Sequence, residues 1–371
     1  MKRQFLSRAL LGAVQLLGVV LLVACAAPPP AQVELPPPVF PAPPDEPRFY
    51  YERVLYSSAD VVKQDKNAGL RQMLTGESGI TGEALGKPYG VAVYHGRVFV
   101  TDSALHAVAV FDIPGQRFYY IGEDGLGKLN SPLGIDVDGK GNVYVVDAST
   151  KVVQVYDIDG KHLRTLAGSG AWFNRPSGIA VNAEGTRVYV VDTGGISTSE
   201  HRVRVFDVQS GAHVLDIGTR GTGPGELNLP RDVTIGNGGL LYVVDGANFR
   251  VQVFNQDGSF VRTFGSIGRQ AGQFSRPKEA ATDADGNVYV VDTAFGNFQI
   301  FNPEGQLLLA IGSRSETDGP TKYMLPSGIA VDGDGRVYMV DQYFRKVDVY
   351  RPAKLATGDG FTLKQSSSGK K

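Results

Sequence analysis

A repeated segment restricts the fold of this chain more than any other feature. Six stretches begin with a proline and continue as a short apolar strand, and the prolines stand at positions 88, 132, 176, 230, 277 and 326. The spacings are therefore 44, 44, 54, 47 and 49 residues. Self-similarity at about 40 to 50 residues is typical of propeller blades, each of which buries its apolar faces only against its neighbours.

Each repeat contains the same four pieces. A first apolar strand leads through a turn to a second strand, which ends in aspartate at Asp102, Asp147, Asp192, Asp245, Asp292 and Asp341. A third strand alternates in character, as in Arg250–Phe254, and a fourth ends just before glycine, as in Phe260–Phe264. Short strands between regular turns are what a four-stranded antiparallel blade requires. We therefore predict an all-β fold, a six-bladed β-propeller of four-stranded antiparallel blades.

The ring is predicted to close with a strand from the N-terminal side. The first five repeats have fourth strands at Arg117–Ile121, His162–Leu166, His213–Ile217, Phe260–Phe264 and Leu307–Ile311. The sixth repeat has no clear counterpart after Tyr350, whereas residues 48–56 are strand-like and precede the first repeat. We predict that residues 48–56 complete blade six and so remove an exposed sheet edge. In an alternative arrangement, residues 361–364 fill that position and residues 48–56 add a strand outside them.

One repeat carries a family resemblance. The run Asp245-Gly-Ala-Asn-Phe-Arg-Val-Gln-Val-Phe254 is followed by Gly258, a Phe-Gly pair at 264–265 and a Gln-Phe pair at 273–274 before Pro277. This pattern resembles the NHL repeat, and the resemblance extends over six repeats within residues 86–351. It implies the propeller fold. It does not imply one function, because NHL propellers include enzymes, RNA-binding modules and scaffolds.

The start of the chain has the pattern of an export signal. Three basic and no acidic residues precede an apolar run over residues 9–24, which is short for a membrane-spanning helix of about 20 apolar residues. The run ends in Leu-Val-Ala-Cys, which resembles the lipobox of bacterial lipoproteins and implies lipidation of Cys25. Ala26 in place of an aspartate implies the outer membrane of the cell envelope. An ordinary signal peptide or a transmembrane anchor is the alternative.

These patterns divide the chain into four parts. The region after Cys25 is rich in proline, so we expect an extended polyproline II spacer that could hold the domain up to about 60 Å from a lipid surface. The predicted parts are a signal peptide at 1–24, the lipidated cysteine and tether at 25–47, the propeller at 48–365 and a disordered tail at 366–371.

Composition excludes several kinds of function. The net charge is −1, and removal of the basic leader makes it more negative, so nothing favours binding to nucleic acid. A single cysteine cannot form a disulfide within the chain or a multi-cysteine zinc or iron–sulfur site. We expect a monomeric propeller without a cofactor.

Four charged residues mark one part of the predicted channel. The second residue after the repeat proline is glycine in four blades, but it is Asp232 in blade four and Glu279 in blade five. The preceding residues there are Arg231 and Lys278. The first strand of each propeller blade lines the central channel, so these four groups should cluster at its rim. Either they bind a polar ligand, or they pair with one another and seal the ring.

The predicted loops place the working surface on one face. The connections at residues 219–229, 266–276 and 313–325 are long, and blade three inserts residues 194–200 between its second and third strands. All of them should emerge on the same face, and loop variation on a rigid scaffold is typical of a binding surface. Trp172 and Phe173 either form an exposed anchor for a partner or pack between blades.

The repeated aspartates invite a metal hypothesis. Six carboxylates at equivalent strand ends could form a ring, but the same device in every blade favours capping of backbone amides in the following turn. The turns Asp-Ala-Asp-Gly at residues 283–286 and Asp-Gly-Asp-Gly at residues 332–335 resemble the start of a calcium loop. They lack the later ligands of such a loop, which favours hairpin turns.

Catalytic motifs are weak. The NHL enzyme that cleaves peptidyl-hydroxyglycine holds zinc through histidines after the repeat prolines, where this chain has Tyr89, Leu133, Ser177, Arg231, Lys278 and Ser327. Lactonase-type propellers use a Glu/Asn/Asp calcium cluster, for which Asp136, Asp232, Glu279 and Asn297 are the available residues. We therefore favour a lipid-anchored, non-catalytic module that binds an envelope protein or glycan. The alternative is a metal-dependent lyase or lactonase that uses the channel.

Overall fold

Six antiparallel sheets form the described part of the chain. The computed structural model describes residues 37–63, 82–168 and 172–360. Five of its sheets have four strands and the sixth has five. The innermost strands contact one another in chain order, and the last contacts the first. The predicted six-bladed β-propeller is thus confirmed.

The strands occupy equivalent positions in each repeat, with valine and aromatic residues filling the inner ones because such side chains pack well on a pleated surface. The first strands are Pro88–Tyr94, Pro132–Val137, Pro176–Val181, Asp232–Ile235, Pro277–Thr282 and Pro326–Val331. The second strands are Arg97–Asp102, Val143–Asp147, Arg187–Asp192, Leu241–Asp245, Val288–Asp292 and Val337–Asp341. The third strands are Ala107–Asp112, Val152–Tyr156, Arg202–Asp207, Arg250–Phe254, Asn297–Phe301 and Lys346–Pro352. The fourth strands of blades one to five have the predicted bounds, Arg117–Ile121, His162–Leu166, His213–Ile217, Phe260–Phe264 and Leu307–Ile311.

Blade six is completed by Phe49–Leu55, as predicted. This strand pairs antiparallel with Lys346–Pro352, the third strand of the blade, so the alternative with residues 361–364 in that position is wrong. A short strand at Val39–Phe40 pairs outside Phe49–Leu55. The compact unit accordingly begins at Pro38, ten residues before the predicted start.

The antiparallel order separates the connections into two faces. Connections between first and second strands lie at one end of the channel, which we call the hairpin face. Connections between second and third strands, and those from one blade to the next, lie at the other end, which we call the long-loop face. Phe49 pairs with Pro352 at the end of the third strand, so the chain enters the ring on the hairpin face.

A separate apolar cluster lies between each pair of adjacent blades. Every cluster contains one buried residue that stands three positions before a repeat proline. These residues are Leu85, Leu129, Phe173, Leu227, Phe274 and Tyr323. The connection into each blade is therefore held down by its own apolar side chain, which the cluster removes from water.

The long loops have a regular structure of their own. Thr219–Arg220 pairs parallel with Glu226–Leu227, and Ser313–Arg314 pairs parallel with Lys322–Tyr323. The equivalent loop before Pro277 closes through a parallel bridge between Ile267 and Phe274. These loops are therefore closed arches with fixed ends.

In residues 37–63, 82–168 and 172–360, helical structure is confined to single turns. The three short 3₁₀ helices are Ser58–Asp60, Asn237–Gly239 and Gly246–Asn248. Within the described ranges, no helix has the length and apolar character needed to cross a membrane.

Candidate functional site

Four of the strand-end aspartates, Asp102, Asp147, Asp292 and Asp341, cap backbone amides of the following turn, as predicted. Asp102 accepts hydrogen bonds from the amides of Ala104 and Leu105 in the following turn, both at 3.0 Å. It also accepts from the amides of Gly86 and Lys87 in the connection that enters the same blade, at 2.7 and 2.8 Å. Asp147, Asp292 and Asp341 repeat this pattern. Each such carboxylate joins two segments of one blade and is occupied by backbone donors.

The glycines two positions after the repeat prolines allow the first strands to touch. A Cβ on Gly90 would lie 2.8 Å from the carbonyl oxygen of Leu133, and one on Gly328 would lie 2.6 Å from that of Tyr89. Contacts this short exclude any side chain there, because real Cβ atoms stay beyond about 3 Å. At this level of the channel, neighbouring strands are in direct backbone contact.

Asp232 and Glu279 replace these glycines and act as struts between blades. The Ala280 amide of blade five donates to Oδ2 of Asp232 at 3.0 Å, and the Ile329 amide of blade six donates to the Glu279 carboxylate. Both side chains are buried. The carboxylates therefore bridge first strands that do not meet through glycine.

Arg231 and Lys278 point into the channel together with a residue that the sequence did not single out as part of the site. The Lys278 ammonium of blade five lies 4.3 Å from the centre of the Tyr89 ring of blade one. Glu279, Arg231 and Asp232 each act electrostatically on the Tyr89 hydroxyl, so these charged groups are near it. The four residues of the predicted rim cluster thus lie in the vicinity of Tyr89. None of its four charged members forms an ion pair with another within 4.0 Å.

The backbone of this cluster is held by hydroxyls of preceding blades. Ser177 Oγ donates to the Arg231 carbonyl at 2.9 Å, and Ser327 Oγ donates to the Tyr89 carbonyl at 2.7 Å. Gly246 leaves space for the Arg231 side chain, since a Cβ there would lie 2.8 Å from Cγ and 3.3 Å from Nε. The cluster is therefore fixed by its surroundings before any ligand arrives.

Burial shifts the acid–base equilibria of these groups. It raises the pKa of Asp232 to about 7, and burial together with Asp232 raises the pKa of Glu279 well above its usual range. Burial lowers the pKa of Lys278 to about 8, against the opposing effect of Glu279. The carboxyls are thus biased toward their neutral forms.

A cavity of about 620 Å³ opens on the other side of this cluster, toward the hairpin face. Asp136, Asp232 and Glu279 contribute to its walls. Oδ2 of Asp136 accepts from the Val181 amide of blade three at 2.8 Å, so this carboxylate is a third strut between blades. Burial raises the pKa of Asp136 to about 7. The sequence had indicated Asp136, Asp232 and Glu279 as channel carboxylates, but not a cavity toward the hairpin face.

The donor set fits a metal poorly. No group of three or more His, Cys, Asp or Glu residues suited to hold an ion occurs in the part of the chain that the structure describes. Asp136, Asp232 and Glu279 are each engaged by an amide of the next blade. Asn297, the fourth residue considered for a calcium cluster, begins a third strand and does not line the channel cavity.

Exposed apolar side chains are concentrated on the long-loop face. Leu126, Ile196, Ile267 and Tyr343 are 86%, 81%, 66% and 56% exposed, and all four lie in loops of that face. The remaining loop residues of this kind are also there, at Val62, Leu105 and Leu325. Among the described residues, the hairpin-face turns carry no exposed large apolar side chain. Exposed apolar groups gathered on one face are typical of a protein-binding surface.

Trp172 and Phe173 have separate roles. Phe173 is buried between blades two and three, at the repeat position that every blade fills with an apolar residue. It is therefore a core residue rather than an exposed anchor, and its distance from Pro176 was the signal that could have shown this. Trp172 is partly exposed, stacks on His213 at 5.3 Å and packs edge-on against Phe206 at 5.7 Å.

Cys25 lies outside the described residues.

The closed ring of six four-stranded blades defines the class, a six-bladed β-propeller. Within it, residues 227–254 match the NHL repeat family, and this confirms the predicted resemblance for that segment of blade four. Human NHL repeat-containing protein 3 is 33% identical over 87 residues, which are 23% of this chain and 23% of that protein. The match thus covers less than a quarter of the relative's length.

Two solved structures illustrate the breadth of the fold. A gluconolactonase from Xanthomonas campestris superposes with a TM-score of 0.56 and 15% identity over 86% of this chain and 99% of its own. A catalytically inactive virginiamycin B lyase from Staphylococcus aureus superposes with a TM-score of 0.51 and 14% identity over 71% of this chain and 80% of its own. At these identities the likeness shows the fold alone.

Proposed function

We propose that this protein is a lipid-anchored, non-catalytic binding module of the bacterial cell envelope, and that its long-loop face captures a partner. The observation that carries the proposal is the placement of the most exposed apolar loop residues, all of which surround one end of the channel. A protein partner is favoured over a glycan, because leucine, isoleucine and tyrosine at loop tips suit an apolar interface core.

The anchor is part of the same proposal. Cys25 would carry the lipid, and the proline-rich segment after it would join the ring on the hairpin face, where Phe49 enters. The long-loop face lies at the opposite end of the channel from this entry. Cys25→Ser should abolish labelling by a radioactive fatty acid; labelling that persists would refute the anchor. An outer-membrane location would be checked by membrane fractionation.

Substitution of the loop tips tests the binding face. A variant with Leu126, Ile196, Ile267 and Tyr343 all changed to serine should fold normally and lose at least about tenfold in partner recovery after cross-linking in cells, because central apolar contacts each contribute about 1 to 3 kcal/mol. The matched control changes Leu163, Val214 and Val261 to serine, since these are exposed apolar residues on fourth strands at the outer wall. Equal recovery by the two variants would reject the long-loop face as the site.

An enzyme is the second candidate, favoured by the 620 Å³ cavity, whose walls include the carboxylates of Asp136, Asp232 and Glu279, and by the lactonase and lyase among the similar folds. The engagement of those carboxylates by amides argues against it. Metal analysis of protein purified without chelator decides the metal-dependent form, for which a stoichiometric ion lost on Glu279→Gln would be required.

A further inference from the structure

The centre of the long-loop face carries two cations, and we infer that they bind a single carboxylate group presented by the partner protein, held by Arg231, Lys278 and Tyr89. The inference rests on the proposed function, because it names the chemical group that this face recognises. Its evidence is independent of the apolar loop tips.

The two cations lack counter-charges. Neither the Arg231 guanidinium nor the Lys278 ammonium lies within 4.0 Å of a carboxylate oxygen or donates a hydrogen bond to any residue that the structure describes. Both side chains are partly withdrawn from water, and burial lowers the pKa of each. An unpaired charge in such a place is costly, and an incoming anion removes that cost.

The neighbouring carboxyls do not neutralise the pair. Asp232 and Glu279 are bound to amides of the next blades, and their raised pKa values bias both toward the neutral form. Asp341 is also close enough to influence Lys278, but its oxygens accept four amide hydrogen bonds. The site therefore keeps an excess of positive charge.

Tyr89 supplies a neutral donor beside the cations. Burial raises the pKa of its hydroxyl, so the group stays protonated and able to donate. Its ring face already carries the Lys278 ammonium at 4.3 Å, a cation–π contact that positions the charge. Arg175 and Arg276, both exposed, interact electrostatically with Arg231 and extend the positive field outward. Such a field attracts anions toward the channel mouth.

The three donors come from different blades. Tyr89, Arg231 and Lys278 belong to blades one, four and five, and neighbouring first strands are in backbone contact at Gly90 and Gly328. A carboxylate at a C-terminus or on an acidic side chain fits the three donors and the surrounding apolar loop tips. A guanidinium and an ammonium can each bind one carboxylate through charge-assisted hydrogen bonds.

The test compares matched probes on the full-length protein by calorimetry or NMR titration. N-acetylglycyl-leucine, with its free carboxylate, should bind, and its carboxamide should not. The double variant Arg231→Gln with Lys278→Met should bind the free acid at least about tenfold more weakly, because it loses the charge-assisted hydrogen bonds. The control Lys128→Met with Arg269→Gln makes the same change in net charge at exposed positions of the same face and should leave the affinity within about twofold.

A third variant separates position from charge. Gly246→Ala keeps both cations but places a methyl group against Arg231, so this variant should also have a lower affinity for the free acid. Equal binding of acid and carboxamide, or unchanged binding in the double variant, overturns the inference. Tighter binding of inorganic phosphate than of the free acid overturns the assignment to a carboxylate.

The outcome is distinguishable from failure of the proposed function. If the loop-tip variant fails to recover the partner and the native protein does not bind the carboxylate probe, this inference alone is overturned. Carboxylate binding that needs Arg231 and Lys278, without any partner dependent on the loop tips, supports the inference and overturns the proposed function.

Discussion

A single repeat position decides whether two blades meet through their backbones or through a side chain. Glycine at Gly90 or Gly328 permits direct contact with the next first strand, because any Cβ would collide with a carbonyl oxygen. In blades four and five the same position carries Asp232 and Glu279, whose carboxylates reach the next amide. The exchange of glycine for an acid thus preserves the ring while it introduces titratable groups into the channel.

The burial of a carboxyl group in the channel should make the stability of the protein depend on pH, and Asp136 allows this dependence to be measured. Burial raises its pKa to about 7 in the folded chain from an ordinary value of 3.8. The unfolded chain then releases the proton first, so the free energy of unfolding should fall as pH rises from about 4 to about 7 and stay level above. The free energy of unfolding should differ between pH 5 and pH 8 by about 1 to 3 kcal/mol less in Asp136→Asn than in the native protein. Each pKa unit corresponds to about 1.4 kcal/mol, and partial contact of Asp136 with cavity water reduces the total.

Urea denaturation at the two pH values measures this change. Asp232→Asn should reduce the difference in the same direction, because burial raises the pKa of Asp232 to about 7 as well. Asp257→Asn is the control, since this aspartate lies in an exposed hairpin turn. A pH difference that is the same in Asp136→Asn and the native protein would contradict the assignment.

At the scale of elements, the long loops are clamped rather than free. Gln299 on the third strand of blade five accepts from the Gly272 amide at 2.8 Å and donates to the Gln273 carbonyl at 2.8 Å. Gln252 of blade four does the same for its own loop through Gly225 and Glu226. A third-strand glutamine thus fixes the arch that carries an exposed apolar residue such as Ile267.

Removal of one clamp should loosen one loop only. Gln299→Leu deprives the Gly272 amide of its acceptor, so amide hydrogen exchange should accelerate in residues 266–276 by at least about tenfold, while the loop at residues 219–229 keeps its rate. Hydrogen exchange followed by mass spectrometry measures both loops in one sample. Gln256→Leu, on the hairpin side of blade four, serves as the control. Equal acceleration of both loops would instead indicate a general loss of stability.

The elements were predictable to the extent that their patterns are local. Strand bounds, the capping role of Asp102, Asp147, Asp292 and Asp341, and the closing strand follow from periodicity and from counting fourth strands. The channel cavity and the roles of Tyr89, Asp136 and Asp232 depend on contacts between different blades, which sequence spacing does not reveal. Phe173 is an intermediate case, because its distance from the repeat proline was visible but its burial was not.

At the scale of the whole molecule, the N-terminal strand holds the ring closed by more than its ladder. Glu52 pairs with the fully buried Arg336 at 2.8 Å, and the Tyr51 hydroxyl donates to Asp348 at 3.1 Å. Lys346, also buried, pairs with Asp348 at 3.1 Å and with Asp318 of a long loop at 3.0 Å. Loss of this strand would take the Glu52 carboxylate from the buried Arg336 and the Tyr51 hydroxyl from Asp348, and it would expose a sheet edge.

The effect of N-terminal truncation on stability should therefore depend sharply on where the truncated chain begins. A chain without residues 1–37 should keep the melting temperature of the native domain, because the compact unit begins at Pro38. A chain without residues 1–56 should lose several kcal/mol of stability and self-associate through the open edge of blade six. Thermal denaturation and size-exclusion chromatography report the two effects. A monomeric, equally stable shorter chain would contradict closure by Phe49–Leu55.

The pairing of Phe49–Leu55 with Lys346–Pro352 also sets the order of events during synthesis. The strand that precedes all six repeats is partnered by the third strand of the last repeat, so the ring cannot close until Lys346–Pro352 has been made. Contacts so distant in sequence make folding slow. During that interval an early, tyrosine-rich strand waits unpaired, and the prolines that precede it discourage the kind of extended pairing that leads to aggregation.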